Sequence, residues 1–388
     1  TDDEVIANYF VIREDTMGLK FCSLLLAAAK RGVRVKLLVD SYGSCHEAGN
    51  GTEYTGKPLS QSLLSYLKIH GVDIYIYRPI VSSKMFHPQN VLSWKNYSRR
   101  NHNKILAFNL KKERKRGVIV GDSQWANEHF NGQFIGHNIL VESVKTYIEC
   151  KQYNLNLMES SDSFLFNLKE ISAKDHSYWD MRLKAFKNEK SLNFESFPSF
   201  EVENSEFVYS EIQFDCMQAR KSIQDIEIKL LSSNQGRGFY CTPYFCPDRK
   251  MLKALFKFML KGGRVMIGKI DNDPYLPYGV RYAIKSLAKK RFNISKYSGL
   301  GNIHYKDLII KDFVFIKSAN GEGRSRFYNL DSGLIIKSHK LSEYLMNYLE
   351  KEAKAFECIK NENQITIKHS FLVKMIKQLL RPFYYHHL

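Results

Sequence analysis

Long apolar runs are missing from this sequence, and no window approaches the ~20 consecutive apolar residues of a membrane-spanning helix. No signal peptide is visible in the given residues either. The seven cysteines form no C-x-x-C pair and have no metal-ligand spacing, so neither a zinc site nor a disulfide framework is indicated. Their odd number favours a reducing compartment.

Acidic residues are too few to balance the basic ones. The chain has 58 lysines and arginines against 40 aspartates and glutamates, which gives a formal net charge of +18 at pH 7. Such an excess favours an anionic partner: nucleic acid, an acidic lipid surface or a phosphate-bearing substrate. At 388 residues, the chain is long enough for two domains or for one duplicated fold.

A strand–helix–strand pattern occurs twice in the chain. In the first copy, a helix begins after Asp15, and the strand Arg34–Asp40 follows it. In the second, a strand at 244–245 and a helix capped by Asp248 precede a strand at 264–267. This order implies parallel pairing with right-handed crossovers. We therefore predict an α/β protein with a duplicated fold, in which two mixed or parallel sheets are flanked by helices.

The chain divides into four predicted parts. These are an N-terminal half (1–185), a polar linker (186–210), a C-terminal half (211–358) and a C-terminal strand with a basic amphipathic tail (359–388). In the tail, apolar residues recur at helical spacing between Phe371 and Leu380, beside Lys374, Lys377 and Arg381. This pattern suits a helix on an anionic bilayer and equally a helix that docks on the protein core. Both interpretations stay open.

An H-x-K triplet, two apolar strands, a polar cluster and a carboxylate follow one another twice. The polar residues of the later copy are His304, Lys306, Ser318, Asn320 and Asp331. Those of the earlier copy are His102, Lys104, Gln124 and Glu128. One H-x-K triplet is most simply a pair of solvent-facing residues on an edge strand. Two copies, each with a carboxylate at nearly the same distance from its histidine, form a strong signal.

These residue types suit the chemistry of a phosphodiester. Histidine can be the nucleophile or the general acid, lysine and amide groups neutralise phosphate oxygens, and a carboxylate can orient the imidazole. Alternate residues of a strand share a face, so the imidazole and ammonium of each triplet should point the same way. We predict that both copies face one shared cleft, with His102 and His304 a phosphate's width apart.

The two copies resemble the phospholipase D superfamily, whose duplicated H-x-K-x4-D motifs meet at one active site. The resemblance is closer to the bacterial cardiolipin synthases. There the first motif is followed by G-G-x-N-x-x-x-E-x-F, matched here by 121–130, and the second by G-S-x-N-x-x-x-R-S, matched by 317–325.

The resemblance implies a covalent phosphohistidine intermediate and no metal or other cofactor. The catalytic residues it implies are His102, His304, Lys104, Lys306, Glu128 and Asp331. The residues it implies for binding the substrate phosphate are Gln124, Ser318 and Asn320.

Several positions depart from the family pattern. Asn109 and Lys311 stand where each motif has aspartate, and their odd offset from the histidine indicates a role in the turn rather than at the phosphate. Gln124 replaces an asparagine. Asp122 and Lys317 occupy positions that are usually glycine or serine, and we expect them to crowd or recharge the pocket.

The expected function is that of a phospholipase D or cardiolipin synthase-like phosphatidyltransferase that acts on phospholipid. Its expected place is the surface of an anionic membrane, as a peripheral protein of the bacterial cytoplasmic membrane. Two alternatives stay open: a nuclease of the same superfamily, and a catalytically impaired protein that binds lipid or phosphate. The sequence does not indicate an oligomeric state.

Overall fold

The computed structural model describes residues 3–46, 54–80, 99–111, 114–186, 198–212, 219–221, 223–269, 276–288, 294–359 and 364. The chain forms two compact units. The first comprises Thr1–Gln133 and Asn138–Ser199, and the second comprises Phe134–His137 and Phe200–Leu388. The second unit therefore includes four residues from the first half of the chain.

The first unit contains one large mixed sheet. Its strands are β1 (Glu4–Tyr9), β3 (Arg34–Asp40), β5 (Val72–Tyr77), β6 (Lys104–Leu110), β7 (Lys115–Gly121), β9 (Asn138–Val141) and β10 (Ser163–Leu165), with β2 (Arg13–Glu14) and β4 (Lys57–Pro58) as a separate pair. Its helices are α1 (Thr16–Lys30), α2 (Ser41–Cys45), α3 (Gln61–Ile69), α4 (Val144–Glu159) and α5 (Ala173–Lys184). The order across the sheet is β10-β5-β3-β1-β6-β7-β9.

The second unit contains a sheet of eight strands. They are β11 (Asn204–Tyr209), β14 (Gly238–Thr242), β16 (Gly263–Ile267), β17 (Ile294–Tyr297), β19 (Asp307–Ile310), β20 (Phe313–Lys317), β22 (Ser332–Lys337) and β23 (Phe356–Ile359). The short strands are β8 (Phe134–Ile135), β12 (Glu211–Ile212), β13 (Ala219–Lys221), β15 (Phe245–Cys246), β18 (Asn302–Ile303) and β21 (Gly321–Glu322). The helices are α6 (Ile223–Ser233), α7 (Arg249–Leu260), α8 (Leu276–Ala288), α9 (Gly323–Phe327) and α10 (His339–Glu352).

The two large sheets have the same design. The second runs β11-β22-β20-β19-β14-β16-β17-β23, so three parallel strands are followed on one side by an antiparallel hairpin, as in the first. In each unit the central strand pairs on that side with the strand that follows the H-x-K triplet: β1 with β6, and β14 with β19. The prediction of a duplicated α/β fold with mixed sheets flanked by helices is confirmed.

Side-chain caps and apolar stripes explain the first unit's helices. The Asp15 carboxylate accepts a hydrogen bond from the Gly18 backbone N at 3.0 Å and begins α1. The buried face of this helix, with Leu19 and Leu25, packs in the same core as Leu63 of α3 and Leu37 of β3. Burial of this apolar surface supplies most of the unit's stability.

In the strand–helix–strand unit of the second half, a pair of glycines joins the helix to the second strand. Asp248 caps α7 through the Met251 backbone N at 2.8 Å, and Gly262 takes φ +92° after the helix. A Cβ on Gly263 would lie 2.4 Å from ring atoms of Phe258, so only glycine lets this buried ring pack against β16. The K-G-G-R sequence is therefore a packing requirement as well as a helix stop.

The structure differs from the sequence-based expectations at three places. Residues 204–209, predicted as linker, form the edge strand β11 paired with β22. Phe134–Ile135, expected in the first half, pairs with β18 of the second unit. The central strand of the second repeat is Gly238–Thr242 rather than a strand at 244–245. A run of polar residues hid β11, because an edge strand buries only alternate side chains.

Two further expectations concern the ends of the chain and its halves. The C-terminal strand and the amphipathic tail predicted within 359–388 lie almost wholly outside the described residues, in which the last strand, β23, ends at Ile359. The domain boundaries at 185 and 211 stay a prediction. None of the helices in the described ranges is long and apolar enough to cross a membrane.

Replacing Asp15 with Ala should lower the free energy of unfolding by about 2 kcal/mol, because one carboxylate makes two bonds. It caps α1 and also accepts from the Asn127 backbone N at 2.9 Å. Urea unfolding of the full chain measures the change. The matched control is Ser143→Ala, which removes only the cap of α4 and should cost about 1 kcal/mol. Equal losses in the two variants would contradict the double role of Asp15.

Candidate active site

Both H-x-K triplets lie where an antiparallel strand begins beside the carboxyl end of a parallel one. Lys104 is the first residue of β6 and lies opposite Tyr9, the last residue of β1, and the Phe10 N–H donates to the Asn103 carbonyl at 3.0 Å. His304 and Lys306 lie between β18 and β19. The edge at the carboxyl ends of parallel strands, where the strand order reverses, is a common place for binding sites.

Each motif lysine turns back to the carbonyl of its own histidine. Lys104 Nζ donates to the His102 carbonyl at 2.7 Å, and Lys306 Nζ donates to the His304 carbonyl at 3.0 Å. Lys306 Nζ also lies 3.0 Å from Nδ1 and 3.1 Å from Nε2 of the His304 ring. The imidazole and ammonium of the second triplet thus share one side, as predicted, although the triplet itself is not part of a strand.

A chain of buried amides holds the segment around His102. The Asn103 side chain donates to Asn101 at 2.7 Å, Asn101 donates to Asn8 at 2.6 Å, and Asn8 donates to Asn154 at 2.8 Å. All four asparagines are fully buried. Serial donation of this kind polarises each bond and fixes every amide in one orientation. Because Asn101 and Asn103 flank His102, the network fixes the backbone that carries the imidazole.

A buried ion pair supports the same segment from the other side. Asp40, the last residue of β3, accepts from the Asn101 backbone N at 2.8 Å and lies 3.4 Å from Arg100 Nη1. Burial raises the pKa of Asp40, while Arg100 and backbone donors oppose the rise. Sequence reasoning missed these residues. The available signal was an aspartate at the end of a buried strand, at the edge where the triplet lies.

In the second unit, Ser318 and Asp331 form the corresponding support. The Ser318 hydroxyl donates to Asp331 Oδ1 at 2.6 Å and accepts from the Ser332 backbone N at 3.0 Å. In the structure its one donor proton is directed at the Asp331 carboxylate, and both side chains are fully buried. The predicted role of Ser318 in binding phosphate stays a prediction.

The remaining predicted residues are also buried and partly engaged. Gln124 Oε1 accepts from the Val11 backbone N at 3.0 Å, so its amide oxygen is in use. Glu128 Oε1 accepts from Thr55, at 2.6 Å from the backbone N and 2.7 Å from the hydroxyl. Asn320 donates to Glu322 at 3.3 Å. The predicted role of Glu128 and Asp331, to orient a histidine each, stays a prediction.

The substituted motif positions have structural partners. Asn109 accepts from Arg116 Nε at 2.8 Å across the first hairpin, which supports the inference that this position serves the turn. We expected Lys317 to crowd the pocket or to change its charge. The structure gives the Lys317 ammonium a counter-ion of its own. Its ammonium is fully buried and lies 2.8 Å from Glu227 Oε1. The cation is therefore compensated inside the second unit.

A histidine that sequence reasoning overlooked lies beside the second triplet. His137 Nδ1 is 2.6 Å from Asp307 Oδ2, and the His137 ring stacks on Tyr305 with centroids 4.3 Å apart. The His304 backbone N donates to the Ile135 carbonyl at 2.7 Å. Residues 134–137 therefore brace the second triplet, and no local pattern around them in the sequence signals it.

The fold is shared with a solved structure of known class. The phosphatidylserine synthase of Haemophilus influenzae superposes with a TM-score of 0.66 at 12% identity, over 99% of this chain and 90% of that one. The chain thus has a phospholipase D-like α/β fold.

Sequence comparisons agree with this class. Residues 228–353 match the family described as cardiolipin synthase, PLD-like domain. Cardiolipin synthase 1 of Bacillus cereus is 24% identical over 95% of this chain, which spans 62% of that protein's length. Cardiolipin synthase of Clostridium perfringens is 24% identical over 96% of this chain and 70% of its own. This chain is therefore similar to cardiolipin synthases and contains a match to their PLD-like domain, in agreement with the resemblance that the paired motifs indicated.

Ser318→Ala should lower the free energy of unfolding by about 1–3 kcal/mol, because the buried Asp331 carboxylate loses a donor. Thermal and urea unfolding of the full chain measure the effect. The matched control is Ser342→Ala, since the Ser342 hydroxyl is buried and makes no hydrogen bond within the described part of the chain. If Ser318→Ala were as stable as the control variant, the Ser318–Asp331 bond would not hold the carboxylate.

Proposed function

We propose that this protein is a phosphatidyltransferase or phospholipase D that acts on a phospholipid phosphodiester through a phosphohistidine intermediate. The observation that carries the proposal is the duplication itself. Two H-x-K triplets lie at the start of the equivalent strand of two equivalent sheets, and each is followed in the sequence by a buried carboxylate. Similarity to cardiolipin synthases over 95% of this chain supports the substrate class.

The first half-reaction in this proposal uses both histidines. An imidazole nitrogen, which we assign to His102, attacks phosphorus, a P–N bond forms, and the P–O bond to the leaving alcohol breaks. His304 donates its proton to the leaving oxygen. Lys104 and Lys306 neutralise the charge that develops on the non-bridging oxygens. This cycle requires the two triplets to meet at one site, which is part of the proposal.

The second half-reaction reverses the roles of the groups. His304, now neutral, takes a proton from water or from an acceptor hydroxyl. The oxygen attacks phosphorus, the P–N bond breaks, and His102 is released. Water gives a hydrolase, and a lipid hydroxyl gives a transferase. A covalent intermediate separates these steps, so either acceptor can enter after the first alcohol has left.

The proposed place of action is the surface of an anionic membrane. The net charge of +18 supports attraction to acidic lipids, and the headgroup phosphodiester lies at that surface. The same charge also suits nucleic acid, so a nuclease is the second candidate. The substituted motif positions Asn109 and Lys311 keep a catalytically impaired binding protein as the third.

A substrate screen separates these candidates. Vesicles of phosphatidylglycerol, vesicles of phosphatidylcholine and single-stranded DNA are each incubated with the full chain, with and without EDTA. We expect turnover of phosphatidylglycerol that EDTA does not reduce. Cleavage of DNA with no lipid turnover would replace the lipid function by the nuclease. Binding of vesicles without turnover would favour the impaired protein.

Replacing either His102 or His304 with Ala should lower kcat by about 1,000-fold or more, because the two imidazoles act in succession within one cycle. The control is His339→Ala, because His339 is exposed on α10 and, among the described residues, pairs with the surface residue Asp312 alone. Lipid turnover of the three variants is compared. Substantial activity in either motif variant would reject the two-histidine cycle.

Replacing Glu128 with Gln or Asp331 with Asn should lower kcat by about 10- to 100-fold with little change in KM, because a buried carboxylate that orients an imidazole stabilises its charged form rather than the bound lipid. The matched control is Asp312→Asn at the surface of the second unit. An effect confined to KM would tell against the orienting role.

A further inference from the structure

Lys317 is a fully buried lysine next to the second motif, and the proposed cycle gives it no role. It ends β20, directly before Ser318, at a position where the resembling motif has glycine. A lysine buried without a partner would cost several kcal/mol, so its environment must be built for it.

Among the described residues, a carboxylate and a backbone carbonyl contact the Lys317 ammonium. Lys317 Nζ lies 2.8 Å from Glu227 Oε1 on α6 and donates to the Lys306 carbonyl at 3.0 Å. The rings of Tyr240 and Phe315 lie 5.4 and 5.9 Å from the ammonium. Lys317 and Glu227 are both fully buried.

The sheet also leaves space for the long side chain. Gly333 is the cross-strand neighbour of Lys317. A Cβ on Gly333 would lie 2.9 Å from the Lys317 Cβ and 2.7 Å from the Ile316 carbonyl oxygen. A side chain at 333 would therefore displace Lys317.

The carbonyl that Lys317 holds belongs to the motif lysine. The ammonium of Lys306 lies 3.0 Å from Nδ1 of His304, so a shift of the Lys306 backbone moves this charge relative to the imidazole. Displacements of about 1 Å in a reacting group can reduce a rate by about 100-fold.

We propose that the Lys317–Glu227 pair is a positioning device for the second motif. Lys317 fixes Lys306 through its backbone carbonyl, and Glu227 cancels the charge of Lys317, so that His304 does not experience a second buried cation. The inference rests on the proposed function, in which Lys306 and His304 act on the phosphodiester.

Three variants separate the two parts of the device. Glu227→Gln keeps the bond to Lys306 but leaves the Lys317 cation uncompensated. Lys317→Met removes that bond; Glu227 then becomes neutral, since its burial raises its pKa and Lys317 no longer opposes the rise. The double variant, Lys317→Met with Glu227→Gln, removes the bond and carries no buried charge.

The expected charge effect is a lower pKa of His304 in Glu227→Gln than in the wild type, because an uncompensated cation disfavours the imidazolium. Proton-detected ¹⁵N NMR titration of the imidazole rings measures this, with His304 assigned by its absence in His304→Ala. The double variant should keep the wild-type pKa. An unchanged pKa in Glu227→Gln would overturn the charge-cancelling role.

The expected positional effect is a fall in kcat of about 10- to 100-fold in both Lys317→Met and the double variant, with KM within about twofold. The matched control is Lys337→Met, which breaks the exposed Lys337–Glu203 pair on β22 and should leave kcat unchanged. Wild-type kcat in the folded double variant would overturn the positioning role. Circular dichroism establishes folding, and the decision rests on the double variant because it leaves no unpaired charge.

Two substrates keep the inference distinct from the proposed function. Turnover is measured on phosphatidylglycerol vesicles and on bis(4-nitrophenyl) phosphate, a diester without lipid or nucleoside. If the wild type cleaves only the second, the lipid function fails while the positional effect is still measured. The His304 titration needs no substrate, so the charge effect is decided in either case.

Discussion

The bond from each motif lysine to the carbonyl of its own histidine is the constraint on which both halves depend. Lys104 and Lys306 are almost fully buried, at 1% and 0% exposure, so each ammonium needs an acceptor within the protein. In both units the carbonyl of the histidine is one such acceptor. That bond turns the triplet back on itself at the sheet edge and sets the point where the antiparallel hairpin begins.

The two halves repeat this constraint but support it differently. Behind His102 the chain uses neutral amides, from Asn103 to Asn154, with the Asp40–Arg100 pair beside them. The second triplet has instead the buried Lys317–Glu227 pair and a bracing histidine. A network of neutral donors fixes geometry with little effect on the local potential, whereas an ion pair couples geometry to charge. The two motifs are thus supported by different sets of neutral and charged groups.

Periodicity and turn chemistry made the sheets predictable. The strand at Arg34–Asp40 has the predicted bounds, because buried parallel strands are rich in apolar residues. The site residues could be found because the motif is repeated. Their supports could not, since Thr55 and Glu227 lie far along the chain from Glu128 and Lys317, and such contacts leave no local pattern. The edge strand β11 was missed for a different reason: half of its residues are polar.

The short β8 strand has a consequence for synthesis on the ribosome. Residues 134–137 leave the ribosome with the first half of the chain, yet the partners of β8 are residues 302–304. The first unit can therefore assemble its large sheet early, while this segment waits, unpaired, for a distant part of the chain to emerge. Domains fold as they emerge, and contacts so remote in sequence form slowly. The hydrogen bonds around His304 form only after residues 134–135 and 302–304 have both been synthesised.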